Sequence, residues 1–323
     1  MLAGKSKLIA VAAIVLVGGA GYGVWDRYGA ASGFGGGVNK SEDAALQTMI
    51  VDVLPKFRQF EYTDAETGLT VPYNLFVPDS HDGAKPLPLV YFIADSSVSG
   101  QDVTAPLSQG YGGLIWATDA DQEKHPSMVL VPEFPEVILD DHGSYSMTDY
   151  VELAARLVET VAHEQGADMD RLYATGQSMG GMTLLYLSAK YPDLFAAQMF
   201  VSSQWDITTL AGLGDATFFY VVAAGDAKAS AGQQELYDLL TINGADISRA
   251  TDWDANWDDA TMNAAVDALL DEGNRINFAM FAEGTVMPEG VATPQGSGEH
   301  MYSFDPAYSI SAIRDWLFAQ SKS

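Results

Sequence analysis

The sequence predicts an α/β fold: a three-layer sandwich with a mostly parallel central sheet and an antiparallel hairpin on its N-terminal side. Three observations carry this. First, six short runs are almost wholly apolar: PLVYFIA (Pro88 to Ala94), MVLVPEF (Met128 to Phe134), RLYATG (Arg171 to Gly176), AAQMFVSS (Ala196 to Ser203), TFFYVVAAG (Thr217 to Gly225) and NFAMFAEG (Asn277 to Gly284). Such runs suit strands buried on both faces of a parallel sheet. Second, helix-like stretches alternate with them: SMTDYVELAARLVETVAHEQG, MGGMTLLYLSAKY, GQQELYDLLTING, ATMNAAVDALLDEGN and DPAYSISAIRDWLFAQ. In the first of these, Leu153, Leu157, Thr160 and Val161 recur at intervals of three and four, which gives one apolar stripe. Alternation of this kind places helices on both faces of one sheet. Third, Phe60 to Pro78 reads as two strands around a turn at Asp64 to Gly68.

Composition narrows the function classes. An apolar share of 48% with 18% charged residues argues against a disordered chain. Sixteen Lys and Arg against 43 Asp and Glu leave a net charge of −27, which repels phosphate backbones and excludes nucleic-acid binding by counterion release. The absence of cysteine excludes disulfides, thiolate metal sites, iron–sulfur clusters and a cysteine nucleophile. No dinucleotide fingerprint follows a strand and no P-loop lysine is present, so the sequence points to no cofactor.

Residues 1–27 are expected to be a membrane anchor or a signal segment. Leu8 to Trp25 carries no charge and follows Lys5 and Lys7; as a helix it would be roughly 27 Å long, enough for a bilayer core. Leu8 to Val17 also serves as the apolar region of a signal peptide, with Gly18-Gly19-Ala20 for cleavage. Either way the lysines place the remainder extracytoplasmic, membrane-anchored or secreted. Residues 28–44 form a Gly-rich linker, and 45–321 a single domain without internal repeats.

The chemistry centres on Gly176-Gln177-Ser178-Met179-Gly180, between a buried strand and a helix. A sharp strand-to-helix turn forces unfavourable backbone angles on the serine and crowds its neighbours, which is why glycines flank it. That turn aims the hydroxyl out at the C-terminal edge of the sheet, with a helix N-terminus beneath it to favour developing negative charge. A serine hydroxyl needs a base and an orienting acid, in the order Ser, Asp or Glu, His. His300 is the only histidine after Ser178. Asp226 ends the run TFFYVVAAG and emerges at the same edge; Asp206 and Glu283, also at strand ends, are rivals for the acid. An oxyanion needs N–H donors: one from Met179, the residue after the nucleophile, and one from the loop Asp95-Ser96-Ser97-Val98-Ser99-Gly100 after PLVYFIA.

With YNLFVP, PLVYFI, VLVPEFP, GQSMGG, GDAKASAG and HMYSFDPAY…IRDWLF in place, the chain resembles the α/β-hydrolase superfamily from about Phe57 to Gln320. More narrowly it is similar to the esterase group labelled predicted peptidases, close to polyhydroxybutyrate-depolymerase-like esterases. The resemblance implies a three-layer α/β-hydrolase sandwich, a triad of Ser178, Asp226 and His300, and oxyanion donors Met179 and Ser96. One departure is visible. Where such enzymes carry a His-Gly-Gly type sequence, this chain has Ala94-Asp95-Ser96, which sets an acidic side chain near the oxyanion.

Two acidic clusters do not read as metal sites. Asp252, Asp254 and Asn256 match the first positions of a calcium loop, but Trp257 stands where glycine is needed and Asn263 where a glutamate is needed; the stretch reads as a solvated acidic loop with Trp253 and Trp257. Asp140-Asp141-His142 are adjacent on one loop, without distant partners for a metal. His81, His125 and His163 read as surface or loop residues. The expected function is cleavage of a carboxylic ester, small-molecule or polymeric, through an acyl-enzyme and without a metal. A serine peptidase of prolyl-oligopeptidase type and a non-catalytic protein on a hydrolase scaffold are the alternatives.

Overall fold

A computed structural model describes residue 38 and residues 40–81, 83–289 and 298–322. The expected anchor, the Gly-rich run up to residue 37 and the cleavage signal lie outside the described residues. Among the described residues, no helix is long and apolar enough to cross a membrane.

The strands in chain order are β1 (Arg58–Thr63), β2 (Thr70–Phe76), β3 (Leu89–Ile93), β4 (Met128–Pro132), β5 (Leu139–Asp140), β6 (Ser146–Met147), β7 (Leu172–Gln177), β8 (Ala197–Val201), β9 (Phe218–Ala223), β10 (Ile247–Trp253) and β11 (Ile276–Phe281). Nine of them form one sheet in the order β1-β2-β4-β3-β7-β8-β9-β11-β10, among the described residues. Within that sheet, among the described residues, only the β1–β2 and β2–β4 pairs are antiparallel. The hairpin turn falls where the sequence places it: Asp64 O accepts from Gly68 N at 2.8 Å, with Gly68 at φ 73°. Asp64 is buried beneath the turn and takes a two-pronged ion pair from Arg156, at 2.7 and 2.8 Å.

Helices cover both faces. They are α1 (Ala44–Asp52), α2 (Ala105–Ser108), α3 (Tyr111–Leu114), α4 (Asp119–Lys124), α5 (Tyr150–Gln165), α6 (Met179–Lys190), α7 (Ala227–Ile242), α8 (Asp259–Leu270), α9 (Gly298–Tyr302), α10 (Phe304–Ser309) and α11 (Ser311–Phe318). Side chains alternate along each strand. Leu89, Tyr91 and Ile93 therefore join the core beneath α5, α6 and α7, while Val90 and Phe92 join the core beneath α8, α10 and α11. The predicted stripe of α5 supplies Leu153, Leu157 and Val161 to the first of these.

Three elements differ from the sequence expectation. β10 takes up ISRATDW, which has no apolar run because it is an edge strand paired on one side only, to β11. Trp253 belongs to that strand and is buried against Phe219, rather than lying on an acidic loop. The last expected helix is broken at Ile310 into α10 and α11. A short hairpin, β5–β6, precedes α5; two-residue strands carry no readable period.

Candidate active site

β7 delivers Ser178 to a turn whose angles few side chains accept: φ 49°, ψ −119°. The strain persists because the surroundings fix it. Ser178 N donates to Val201 O at the end of β8, 3.1 Å away. Behind it, Gly180 approaches β3 so closely that a methyl group there would lie 1.9 Å from the Ile93 carbonyl oxygen. Glycine at 180 is thus a matter of room, and the motif's spacing follows from the contact.

The structure brings Ser178, His300 and Asp226 together from 122 and 74 residues of separation. His300, in α9, sets Nε2 2.8 Å from Ser178 Oγ and Nδ1 2.5 Å from Asp226 Oδ2. The tautomer follows from the partners. A carboxylate only accepts, so Nδ1 carries the proton and donates; Nε2 of the neutral ring then accepts from the serine hydroxyl. The direction is that of a base poised to take the hydroxyl proton.

Asp226 does two things. Oδ2 takes the imidazole N–H, and Oδ1 caps α7 by accepting from Ala229 N at 3.2 Å. Neither rival is at the site. Asp206 is spent on its own turn, accepting from Thr208 N at 3.0 Å and Thr208 Oγ1 at 2.7 Å. Glu283 is exposed.

Burial lowers the basicity of His300, but the hydrogen bond and charge of Asp226, with the charges of Asp95 and Asp141, outweigh it and hold the pKa above the ordinary 6.5. The imidazole side chain is 22% exposed, while Asp226 is nearly closed off at 6%. A charge pair with one face open to solvent suits a reaction whose transition state creates an imidazolium.

Met179 heads α6 directly after Ser178, where its N–H belongs to the unsatisfied first turn of a helix. Ser96 stands at the start of a single 3₁₀ turn, Ser96–Val98, three residues beyond Ile93 and so at the same sheet edge. The acidic neighbour Asp95 turns into the protein. It is 2% exposed and accepts from Ser97 N at 2.6 Å, from Gln177 Nε2 at 3.3 Å and from Gln109 Nε2. The departure from the His-Gly-Gly pattern therefore supplies a buried brace between the loop and β7.

Asp140, Asp141 and His142 bring candidate ligand atoms within 4.8 Å of one another. Asp141 is already engaged by Lys228 Nζ at 2.5 Å and by the Gln204 amide. A lysine ammonium thus occupies the place a metal would compete for. What sequence reading missed is the reach of Asp141 to the charge on His300; no local pattern signals it, because the residue arrives on the β5–β6 hairpin. The calcium-like stretch is divided: Asp252 lies within β10, and Asp254 accepts from Asn256 N at 2.9 Å within a turn.

Residues 132–246 match the prolyl oligopeptidase family. No curated protein matches the chain significantly. Among solved structures, a thermostable esterase superposes with TM-score 0.65 at 22% identity over 84% of this chain, which spans 64% of that esterase. A mutant of the feruloyl esterase module from Clostridium thermocellum, complexed with sinapinate, gives TM-score 0.52 at 14% identity over 80% of this chain and 87% of its own. A CE1 ferulic acid esterase from Anaeromyces mucronatus, in complex with ferulic acid, gives 0.50 at 13% over 82% and 90%. The chain has the α/β-hydrolase fold.

Proposed function

We propose that this chain is a serine hydrolase that cleaves a carboxylic ester through an acyl-enzyme. The observation that supports this reading best is the unbroken hydrogen-bond path from Ser178 Oγ through the imidazole of His300 to Asp226. Ser178 attacks the ester carbonyl as His300 Nε2 takes its proton. The oxyanion that forms is held by the N–H groups of Met179 and Ser96. His300 returns the proton to the leaving alcohol, and the acyl group stays on Ser178. A water molecule, deprotonated by the same nitrogen, then releases the acid and restores the enzyme. Asp226 keeps the ring in the productive tautomer throughout and stabilises the imidazolium. None of these steps calls for a cofactor.

Esters of aromatic acids head the substrate panel, since structural relatives are esterases described with sinapinate and ferulic acid. The test is hydrolysis of p-nitrophenyl esters of graded chain length and of aromatic acid esters, beside Ser178→Ala and His300→Ala. Each substitution is expected to remove activity by roughly 10⁵-fold or more. A second reading, serine peptidase, is favoured by the prolyl oligopeptidase match over residues 132–246. Peptide cleavage that Ser178→Ala abolishes, with ester turnover no faster than in Ser178→Ala, would select it.

In the same proposal, residues 1–27 deliver the domain 45–321 across a membrane through the Gly-rich segment 28–44. Membrane fractionation with N-terminal sequencing checks it. An intact Leu8 to Val17 in the membrane fraction selects the anchor over the cleaved signal.

A further inference from the structure

The residues on either side of His300 are tied to strand ends at the C-terminal edge of the sheet. Glu299, immediately before it, is 5% exposed. Its Oε2 accepts from Gly225 N at 2.9 Å and its Oε1 from Gly284 N at 3.0 Å. Gly225 is the residue before Asp226, and Gly284 lies three residues past the end of β11. Burying a carboxylate is costly unless it is hydrogen-bonded, and bonds from N–H to an ionised oxygen are the strong kind. One side chain thus joins the helix of His300 to the loop of Asp226.

The room for it is reserved. A methyl group on Gly225 would lie 1.9 Å from Glu299 Oε1, and Gly225 does not have the positive φ that would require glycine for backbone reasons. On the other flank, Ser303 Oγ donates to His300 O at 2.7 Å. Its only proton is then spent, so the 2.6 Å contact with Ser202 Oγ is a donation from Ser202. Ser202 follows β8, whose Val201 carbonyl holds the Ser178 N–H.

We infer that Glu299 is a positioning residue: it locks the backbone of His300 against the Gly225-Asp226 loop, so that the imidazole spans Asp226 and Ser178. This rests on the hydrolase reading above. A carboxylate suits the task because both targets are donors and both of its oxygens accept. Glutamine would keep one acceptor and turn an amide N–H toward a second N–H.

The test compares the wild type with Glu299→Gln, Glu299→Ala, Gly225→Ala and the Gly225→Ala/Glu299→Ala double variant. It reads kcat and KM on a p-nitrophenyl ester, the rate of fluorophosphonate labelling at Ser178, and the melting temperature. Glu299→Gln and Gly225→Ala are each expected to lose about 10- to 100-fold in kcat and in labelling rate, with KM nearly unchanged, since small misplacements of reacting groups cost that much. The double variant is expected to be no worse than Glu299→Ala, because the contact Gly225→Ala disturbs is already gone. If Glu299→Gln does not fold, Gly225→Ala carries the test. Unchanged kcat in folded Glu299→Gln overturns the assignment. So does a drop in melting temperature for both variants with kcat per folded molecule intact. A wild type that neither hydrolyses esters nor takes the label overturns the hydrolase reading itself, and this role with it.

Discussion

Asp226 holds His300 with one carboxylate oxygen, 2.5 Å from Nδ1, and the first turn of α7 with the other, 3.2 Å from Ala229 N. The same side chain caps a helix and, in the proposed hydrolase, orients the base. Its conformation is thereby fixed by secondary structure before any substrate arrives.

Asp226→Asn separates the two roles. The amide oxygen can still cap α7, so stability should fall by no more than about 1 kcal/mol. Orientation of the imidazole is lost, because an amide facing Nδ1 can favour the wrong tautomer. The kcat for ester hydrolysis should fall by about 10³- to 10⁴-fold, read beside a denaturant melt that moves little.

The raised pKa of His300 fixes the sign of the pH dependence. In the proposed reaction its neutral form is the base, so kcat/KM should fall as pH drops through a midpoint above the ordinary 6.5. Asp226, Asp95 and Asp141 are the charges that hold it up, with Lys228 partly neutralising Asp141. Asp141→Asn should move the acid limb to lower pH, and a limb unmoved in a pH–rate profile would show that this charge does not reach the site.

Beneath the hairpin, the guanidinium of Arg156 holds the Asp64 carboxyl well below the usual carboxylate range. Breaking such a buried pair leaves an unpaired polar group, so Asp64→Asn should cost about 3 kcal/mol at pH 7. A depressed pKa contributes stability that is present above the ordinary value of 3.8 and lost as pH falls below it. The gap between wild type and Asp64→Asn in urea unfolding should therefore narrow from pH 4 toward about pH 2.

Glu133, at the end of β4, behaves in the opposite sense. Burial pushes its carboxyl up to about 7, although Gln101 N donates to its Oε1 at 3.1 Å. A raised carboxylate pKa means that the folded state holds its proton longer, so stability from this group declines as pH rises from about 4.5 to 7. Glu133→Gln keeps the acceptor and removes the charge. Its melting temperature should exceed that of the wild type at pH 8 and match it near pH 5.

The parts of this site that could be read from the chain are those that local physics dictates. Apolar runs of five to seven residues have few uses other than a two-sided strand, and Ser178 and Asp226 stand at the ends of two of them. His300 followed from order and elimination. The rest depends on what folding brings near. Glu299 is an ordinary acidic residue beside a histidine until Gly225 and Gly284 arrive from two other strand ends. The sequence leaves open whether Asp95 repels anionic substrates or turns away into a loop hydrogen bond, and only the amides of Gln109 and Gln177, 14 and 82 residues away, turn it into a brace. β10 escaped because an edge strand has one partner and can afford a polar sequence.

The most direct test of the central claim, that His300 activates Ser178, is fluorophosphonate labelling followed by mass mapping of the modified peptide. Wild-type protein should carry one adduct, on Ser178, formed at a rate that rises with pH as His300 loses its proton. His300→Ala should be labelled at least about 10³-fold more slowly. Equal labelling of wild type and His300→Ala, or an adduct on another residue with Ser178 unmodified, would contradict the account.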